Sequence, residues 1–252
     1  MITPYYVDDA VELYLGDCRD LLPALGLGAD LVCTDPPYGE TSLAWDRWPE
    51  GWPGWISSTG MWCFGSTRLF MTKGHEFTTA GWKFSHDVIW EKPNGTSFTT
   101  DRFKRVHEIA THWYRGRWAD VHHETPRTSY SGPDKSASAR ESRMPHTGRI
   151  GAHRYVDDGT RLARSVIRGQ SVRFQRRHPT EKPTEILIPL IEYGCPPGGL
   201  VLDPFAGSGA TLDAARLSGR KAVGIEADER YAEAAAKRLC DPFTPSLFGG
   251  AL

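Results

Sequence analysis

The sequence has no run approaching the roughly 18 consecutive apolar residues that a membrane span requires. Its start does not supply a secretory leader either: Met1–Leu15 carries Asp8, Asp9 and Glu12 where such a leader carries Lys or Arg. A cytoplasmic chain, neither secreted nor membrane-bound, is expected. C-x-x-C pairs are missing too. The five cysteines (Cys18, Cys33, Cys63, Cys195, Cys240) are scattered and odd in number, which argues against a disulfide framework and against a metal site. Three of them fall in apolar stretches, where a thiol acts as a small buried hydrophobe. Excess charge is also lacking. With 30 Lys+Arg against 31 Asp+Glu, the formal net charge is -1, so the chain as a whole makes no electrostatic case for a polyanionic partner.

What is present is an uneven distribution of that charge. Between Arg102 and Arg177, 17 Lys+Arg face 7 Asp+Glu, which leaves 13 against 24 in the remainder. Six of the nine histidines lie in the same segment, which is poor in apolar runs and rich in Ser, Gly, Thr and Arg from Thr125 onward. A basic insert on an acidic body suits a face that meets a phosphate backbone; a solvated loop with no ligand has the same composition. At 252 residues and 39% hydrophobic, the chain can form one large domain or two small ones around a sizeable core.

Short apolar runs predict strands at Val11–Leu15, Ala29–Cys33, Met61–Phe64, Phe84–Trp90 and Ile109–Tyr114, with a short helix over Leu21–Leu27. Runs that do not alternate suit strands covered on both faces. After the insert, Lys182-Pro183 opens a helix through Ile186–Ile191, and Pro196-Pro197-Gly198-Gly199 breaks it. Leu200–Leu202 and Ala222–Ile225 then read as strands. A helix over Ala210–Leu217 is closed by Gly219, and another is capped by Asp228. Strands alternating with helices predict an α/β fold with a mostly parallel, doubly wound sheet.

Two motifs fall just past strand ends, where open α/β sheets bind ligands. In Asp203-Pro204-Phe205-Ala206-Gly207-Ser208-Gly209 two glycines let the backbone pass close beneath a ligand, and Glu226 follows the next strand, where an acid can accept from ribose hydroxyls. A dinucleotide site would need a third glycine where Leu212 stands, so NAD is disfavoured. The second motif, Thr34-Asp35-Pro36-Pro37-Tyr38-Gly39, joins a carboxylate, rigid backbone acceptors and an aromatic ring. That set suits a flat group with an exocyclic amine.

Taken together, Asp35-Pro36-Pro37-Tyr38 and Asp203–Gly209, with His178-Pro179-Thr180-Glu181-Lys182-Pro183 just before the glycine motif, resemble the amino-methyltransferases that modify exocyclic nitrogens of DNA bases. The order (tetrapeptide, basic insert, cofactor motif) is similar to the β class of that family. The resemblance implies a Rossmann-like fold with a catalytic half over 1–116, a target-recognition insert over 117–177 and a cofactor-binding half over 178–252. It implies S-adenosylmethionine as cofactor, with Asp203, Phe205, Gly207 and Gly209 lining its site, Glu226 on its ribose, Asp17 near its adenine, and Thr180 and Lys182 at its methionine end. Asp35 and the Pro36 carbonyl would take the hydrogens of the target amine, and Tyr38 would stack on the flipped base.

The resemblance further implies double-stranded DNA as partner, a bacterial, archaeal or phage source, and a homodimer as an option. Arg102, Lys104 and Arg105 at the start of the basic segment Arg102–Arg177, and Arg173, Arg176 and Arg177 at its end, are the candidate phosphate contacts. N6 of adenine is the expected target. N4 of cytosine is the alternative, disfavoured because the tetrapeptide opens with Asp and not Ser. Methylation of RNA or of a protein amide, and a nucleic-acid-binding module without catalysis, are the more distant readings. The loop with Trp45, Trp48, Trp52 and Trp55 could wedge DNA, close over the pocket or simply pack, and Asp46 and Arg47 could touch DNA. His122-His123 resembles a metal pair only superficially. Pro245-Ser246-Leu247-Phe248 resembles tail peptides that dock on sliding clamps, with Thr244 where a Gln is usual; a disordered tail is the plainer account.

Overall fold

The computed structural model describes residues 2–43, 45–96, 100–145, 148–169 and 182–240. The expected contacts Arg173, Arg176, Arg177 and Thr180, and the clamp-like tail, lie outside them. In chain order the first elements are β1 (Tyr6–Val7), β2 (Val11–Leu15), α1 (Cys18–Leu25), β3 (Leu31–Thr34), β4 (Gly60–Gly65), α2 (Thr67–Thr79), β5 (Lys83–Thr96) and β6 (Arg105–Tyr114). Six short strands follow: β7 (Arg127–Ser129), β8 (Ala137–Ala139), β9 (Ser142–Met144), β10 (Gly148–Ile150), β11 (His153–Tyr155) and β12 (Thr160–Leu162). The chain continues with β13 (Val166–Arg168), α3 (Thr184–Gly194), β14 (Leu200–Asp203), α4 (Ala210–Leu217), β15 (Lys221–Glu226) and α5 (Glu229–Cys240).

Why the runs lack alternation is visible in the packing. Leu31 and Cys33 of β3, Trp62 and Phe64 of β4, and Val201 of β14 join one buried cluster with residues of α3, α4 and α5. Their chain neighbours Val32, Met61, Cys63 and Leu202 join a second cluster with Cys18 and Leu22 of α1 and Phe77 of α2. Both faces are covered, so β3, β4 and β14 are built almost wholly of apolar residues and glycine up to the polar ends Thr34 and Asp203. Among the described residues nine strands form one sheet, ordered β1-β2-β15-β14-β3-β4-β6-β5-β13. The central β2, β15, β14, β3 and β4 pair in parallel, and β6 is antiparallel to both β4 and β5. From β14 the chain winds one way, through α4 to β15; from β3 it winds the other way, to β4. The reversal leaves a crevice between the carboxyl ends of β3 and β14, the switch point where such sheets bind ligands.

Helix α1 starts three residues before the expected Leu21, β5 runs past Trp90 to Thr96 and β6 starts at Arg105 ahead of Ile109; two further features also differ from the expectation. Helix α2 has only Leu69 and Phe77 buried, too thin an apolar stripe to announce itself, and its start is fixed by the Ser66 hydroxyl accepting from the Leu69 N–H at 3.0 Å. Strand β5 is not covered throughout: Phe84 is half exposed, because β5 lies toward the sheet edge beyond the helices.

The chain divides into two compact units, Thr125–Arg164 and the remainder. Within Thr125–Arg164 the pairings are nested: β7 with β12, β8 with β11 and β9 with β10, all antiparallel. The product is a two-stranded ribbon with mostly exposed side chains. Arg161 is one of its ties, pairing with Asp157 at 2.6 Å and lying 3.8 Å over the Tyr130 ring. No helix of the described residues is long and apolar enough to cross a membrane. The same residues hold no cluster of His, Cys, Asp and Glu able to bind a metal ion. His123 instead stacks on Trp118 at 4.3 Å.

Candidate active site

Three strand ends supply the site. At the end of β3, the Thr34 hydroxyl donates to Asp203 Oδ1 at the end of β14 (2.7 Å), which locks the two edges of the crevice together. Asp203 also accepts from the Phe205 N–H at 3.1 Å. Burial pushes the Asp203 carboxyl up to about 6, even though the Thr34 and Thr211 hydroxyls favour its charged form. At the end of β15, Glu226 accepts from the Gly207 N–H and the Asp228 N–H, both at 2.8 Å. Burial raises the Glu226 carboxyl as well. The glycine turn is thus tied to the acid that follows the next strand, and the two motifs of the C-terminal part form one structure.

A cavity of about 410 Å³ opens between these ends, within the size range of small-molecule and cofactor sites. Of the residues expected in the site, Asp17, Asp35, Lys182, Asp203, Phe205, Gly207 and Glu226 are on its wall. Asp17 caps α1 by accepting from the Arg19 N–H at 2.8 Å. Gly209 stands off the wall. It caps α4 with φ 74°, and a Cβ there would come within 3.0 Å of the Ala235 Cβ on α5. Its need for glycine is therefore backbone conformation and helix packing. Pro36 and Tyr38 are not on this wall; the Tyr38 hydroxyl donates to Asp35.

Asp35 anchors a polar network. Its Oδ1 accepts from the Tyr38 hydroxyl and its Oδ2 from Lys182 Nζ. Lys182 also lies 3.3 Å from Glu108 of β6, and Glu108 pairs with Lys92 of β5. Burial by itself would raise the Glu108 carboxyl, but the Lys182 and Lys92 ammoniums outweigh it and hold the group below the ordinary carboxylate range. Burial likewise works against the Lys182 charge, and Asp35 and Glu108 more than offset it.

Sequence reasoning missed Glu108 and Lys92. Their signal is a Glu and a Lys near the ends of two strands that turn out to be antiparallel neighbours, with Trp90 of β5 opposite Glu108 itself. The Trp-rich loop packs: Trp52 is fully buried, with its ring perpendicular to Phe205 at 5.4 Å. Trp45 reaches the cavity wall and meets the Tyr231 ring edge-on at 6.3 Å. Asp46 is a correction. It is buried and accepts from the N–H groups of Gly39, Glu40 and Thr41, because a carboxylate there satisfies the backbone of the turn that follows Tyr38. Arg102, Lys104 and Arg105 are exposed between β5 and the start of β6, with Arg102 paired to Asp101 at 3.3 Å.

Comparison with known proteins agrees with this geometry. The family model for N6/N4 DNA methylases matches residues 29–237. YubD of Escherichia coli K12, assigned as a methylase, is 56% identical over 64 residues, spanning 25% of this chain and 28% of that protein. The type II methyltransferase M2.DpnII of Streptococcus pneumoniae is 23% identical across 95% of this chain and 93% of its own. Among solved structures, the M1.HpyAVI complex with S-adenosylmethionine covers 90% of this chain and 99% of its own at TM-score 0.64 and 21% identity. The cytosine-N4-specific PvuII methyltransferase covers 96% and 90% at TM-score 0.65 and 15% identity, so these two likenesses speak to fold. With the match running from the strand before Asp35 to the helix after Glu226, the chain belongs to the N6/N4 DNA methylase family, DNA methyltransferases that use S-adenosylmethionine.

Proposed function

We propose that this protein methylates the exocyclic N6 of an adenine flipped out of duplex DNA. The observation that carries the reading is the Asp35 carboxylate, presented on the cavity wall at the switch point beside Asp203. The cavity fits the cofactor chemically. Phe205, Trp45 and Tyr231 offer ring surface for an adenine, Glu226 can take ribose hydroxyls, and the Gly207 turn lets backbone approach closely. Asp17 and Lys182, both on the cavity wall, would stand near the cofactor's adenine end and its methionine end respectively. When bound, S-adenosylmethionine supplies a methyl group already activated on a sulfonium.

The protein's own contribution is placement and charge. The lone pair of an adenine amine is delocalised into the ring. Accepting its two hydrogens at Asp35 and at the Pro36 carbonyl favours a pyramidal nitrogen and stabilises the positive charge it gains. As the N–C bond forms and the S–C bond breaks, that nitrogen must shed a proton, and the Asp35 carboxylate is the adjacent base. Tyr38 would stack on the base, and the crevice would hold the reactants in line. Flipping costs a few kcal/mol, offset by phosphate contacts. Arg102, Lys104 and Arg105 are suited to those contacts. The ribbon of Thr125–Arg164, with 8 Lys+Arg against 4 Asp+Glu, has the form that a DNA major groove admits.

Adenine is favoured over cytosine N4 because the tetrapeptide opens with Asp35. The test is mass spectrometry of nucleosides from unmethylated DNA incubated with protein and S-adenosylmethionine. N6-methyladenine supports the reading, whereas N4-methylcytosine keeps the mechanism and overturns the base. Light scattering of the protein, with and without DNA, tests the homodimer.

A further inference from the structure

Glu108 has no part in the chemistry described so far, yet it borders the group on which that chemistry turns. Its side chain is 15% exposed. Oε1 pairs with Lys92, while Oε2 lies 3.3 Å from Lys182 Nζ and accepts no hydrogen bond from the described residues. The Lys182 side chain is 7% exposed and gives its hydrogen bond to Asp35 Oδ2. Tyr38 occupies Asp35 Oδ1. Each oxygen of Asp35 therefore already accepts one hydrogen bond, and Lys182, which shares the cavity wall with Asp35, competes with an incoming amine for Oδ2. Glu108 Oε2 already faces that same ammonium at 3.3 Å but has no well-formed hydrogen bond among the described residues. A buried acceptor without a donor is costly, and a low-cost displacement of Nζ would satisfy it.

We infer that Glu108 is a positioning residue, the second seat of the Lys182 ammonium. Lys182 moves from Asp35 Oδ2 to Glu108 Oε2 when the target amine arrives, which frees the Asp35 oxygen to accept the amine hydrogen. The charged groups facing this exchange are Asp35, Glu108, Lys92 and Lys182. No charge enters or leaves the site; one ion pair is exchanged for another across a short gap. The inference rests on the reading of Asp35 as the acceptor of the amine.

The test is single-turnover methyl transfer to duplex DNA, at S-adenosylmethionine ten times the Kd measured for each variant. Glu108→Gln removes the negative charge of the second seat, leaving only a neutral amide oxygen there, so Lys182 stays on the charged Asp35. Transfer should slow roughly 10- to 100-fold, the range one hydrogen bond to a charged group spans, while the Kd for S-adenosylmethionine stays within about twofold. Glu108→Asp keeps the charge and should retain most of the rate, and it carries the test if the amide does not fold. The decisive comparison is Glu108→Gln with Lys182→Met. Removing the stranded ammonium should make the double variant faster than Glu108→Gln alone, a reversal that a merely structural role does not produce. A wild-type rate for Glu108→Gln, or a double variant no faster than it, overturns the inference. Asp35→Asn separates the two layers. If it still transfers methyl groups, the reading of Asp35 fails. If it is inactive while the Glu108 results come out negative, only the exchange falls.

Discussion

The assignment of Asp46 to the turn after Tyr38, and not to DNA, makes a quantitative prediction. Its Oδ1 accepts from Gly39 N–H at 2.8 Å, and its Oδ2 from Glu40 N–H at 3.0 Å and Thr41 N–H at 2.7 Å. A hydrogen bond to a charged group contributes about 1.5–3 kcal/mol when its partner cannot find water. Gly39, Glu40 and Thr41 are exposed, so in Asp46→Ala their freed N–H groups rehydrate and the net cost drops to roughly 1–3 kcal/mol. If that energy holds the Asp35–Tyr38 turn in place, kcat falls roughly 5- to 100-fold, at about 1.4 kcal/mol per tenfold. Asp46→Asn should do little better, because its NH2 would face backbone donors. The Thr41 hydroxyl and the backbone N–H groups together outweigh burial and hold the Asp46 carboxyl below the ordinary range, so its contribution is complete above about pH 4 and disappears only in stronger acid. The wild-type-to-variant difference should therefore be flat between pH 6 and 8. Labelled methyl transfer at saturating cofactor and DNA, with a melting curve, measures both effects. A variant with unchanged kcat and Tm, but an altered KM for DNA, would refute the reasoning and return Asp46 to the DNA.

Asp35→Ala should abolish methyl transfer while calorimetry still detects S-adenosylmethionine binding; transfer that survives removes Asp35 from its proposed role. Gly209→Ala forces an L-residue to φ 74° against α5, at about 1–2 kcal/mol, so both Tm and cofactor affinity should fall; an unchanged Tm contradicts the packing account. Trp52→Ala removes a fully buried ring that supports Phe205, with an expected loss of about 3–5 kcal/mol in denaturant unfolding. The folded Asp203 carboxyl, raised to about 6, contributes stability that is complete below its unfolded value near 4 and lost as pH rises through 6. Cofactor-free wild type should accordingly lose up to about 3 kcal/mol relative to Asp203→Asn between pH 4 and 7.5, and parallel pH–stability curves would contradict this.

The sequence by itself determined what depends on neighbours along the chain. Unalternating runs marked β2, β3, β4, β14 and β15 to within two residues at each end, since strands covered on both faces must be apolar throughout. Glycine and proline punctuation located the two turns that carry Asp35 and Gly207, because those turns need fixed or left-handed backbone. Helix α2, with its sparse stripe, escaped this logic, and so did the true place of Asp46, whose partners are backbone groups and not side chains. Only the tertiary structure decided which distant groups meet. Thr34 reaches Asp203 across 169 positions and Lys182 reaches Asp35 across 147, because β14 inserts beside β3 in parallel and the chain reverses its winding there. Glu108 enters the same site because β6 runs antiparallel to β4 and brings its first residues to the edge where β3 ends. Periodicity is blind to such register between strands, and that register is what gathers the carboxylates and lysines of this site into one network.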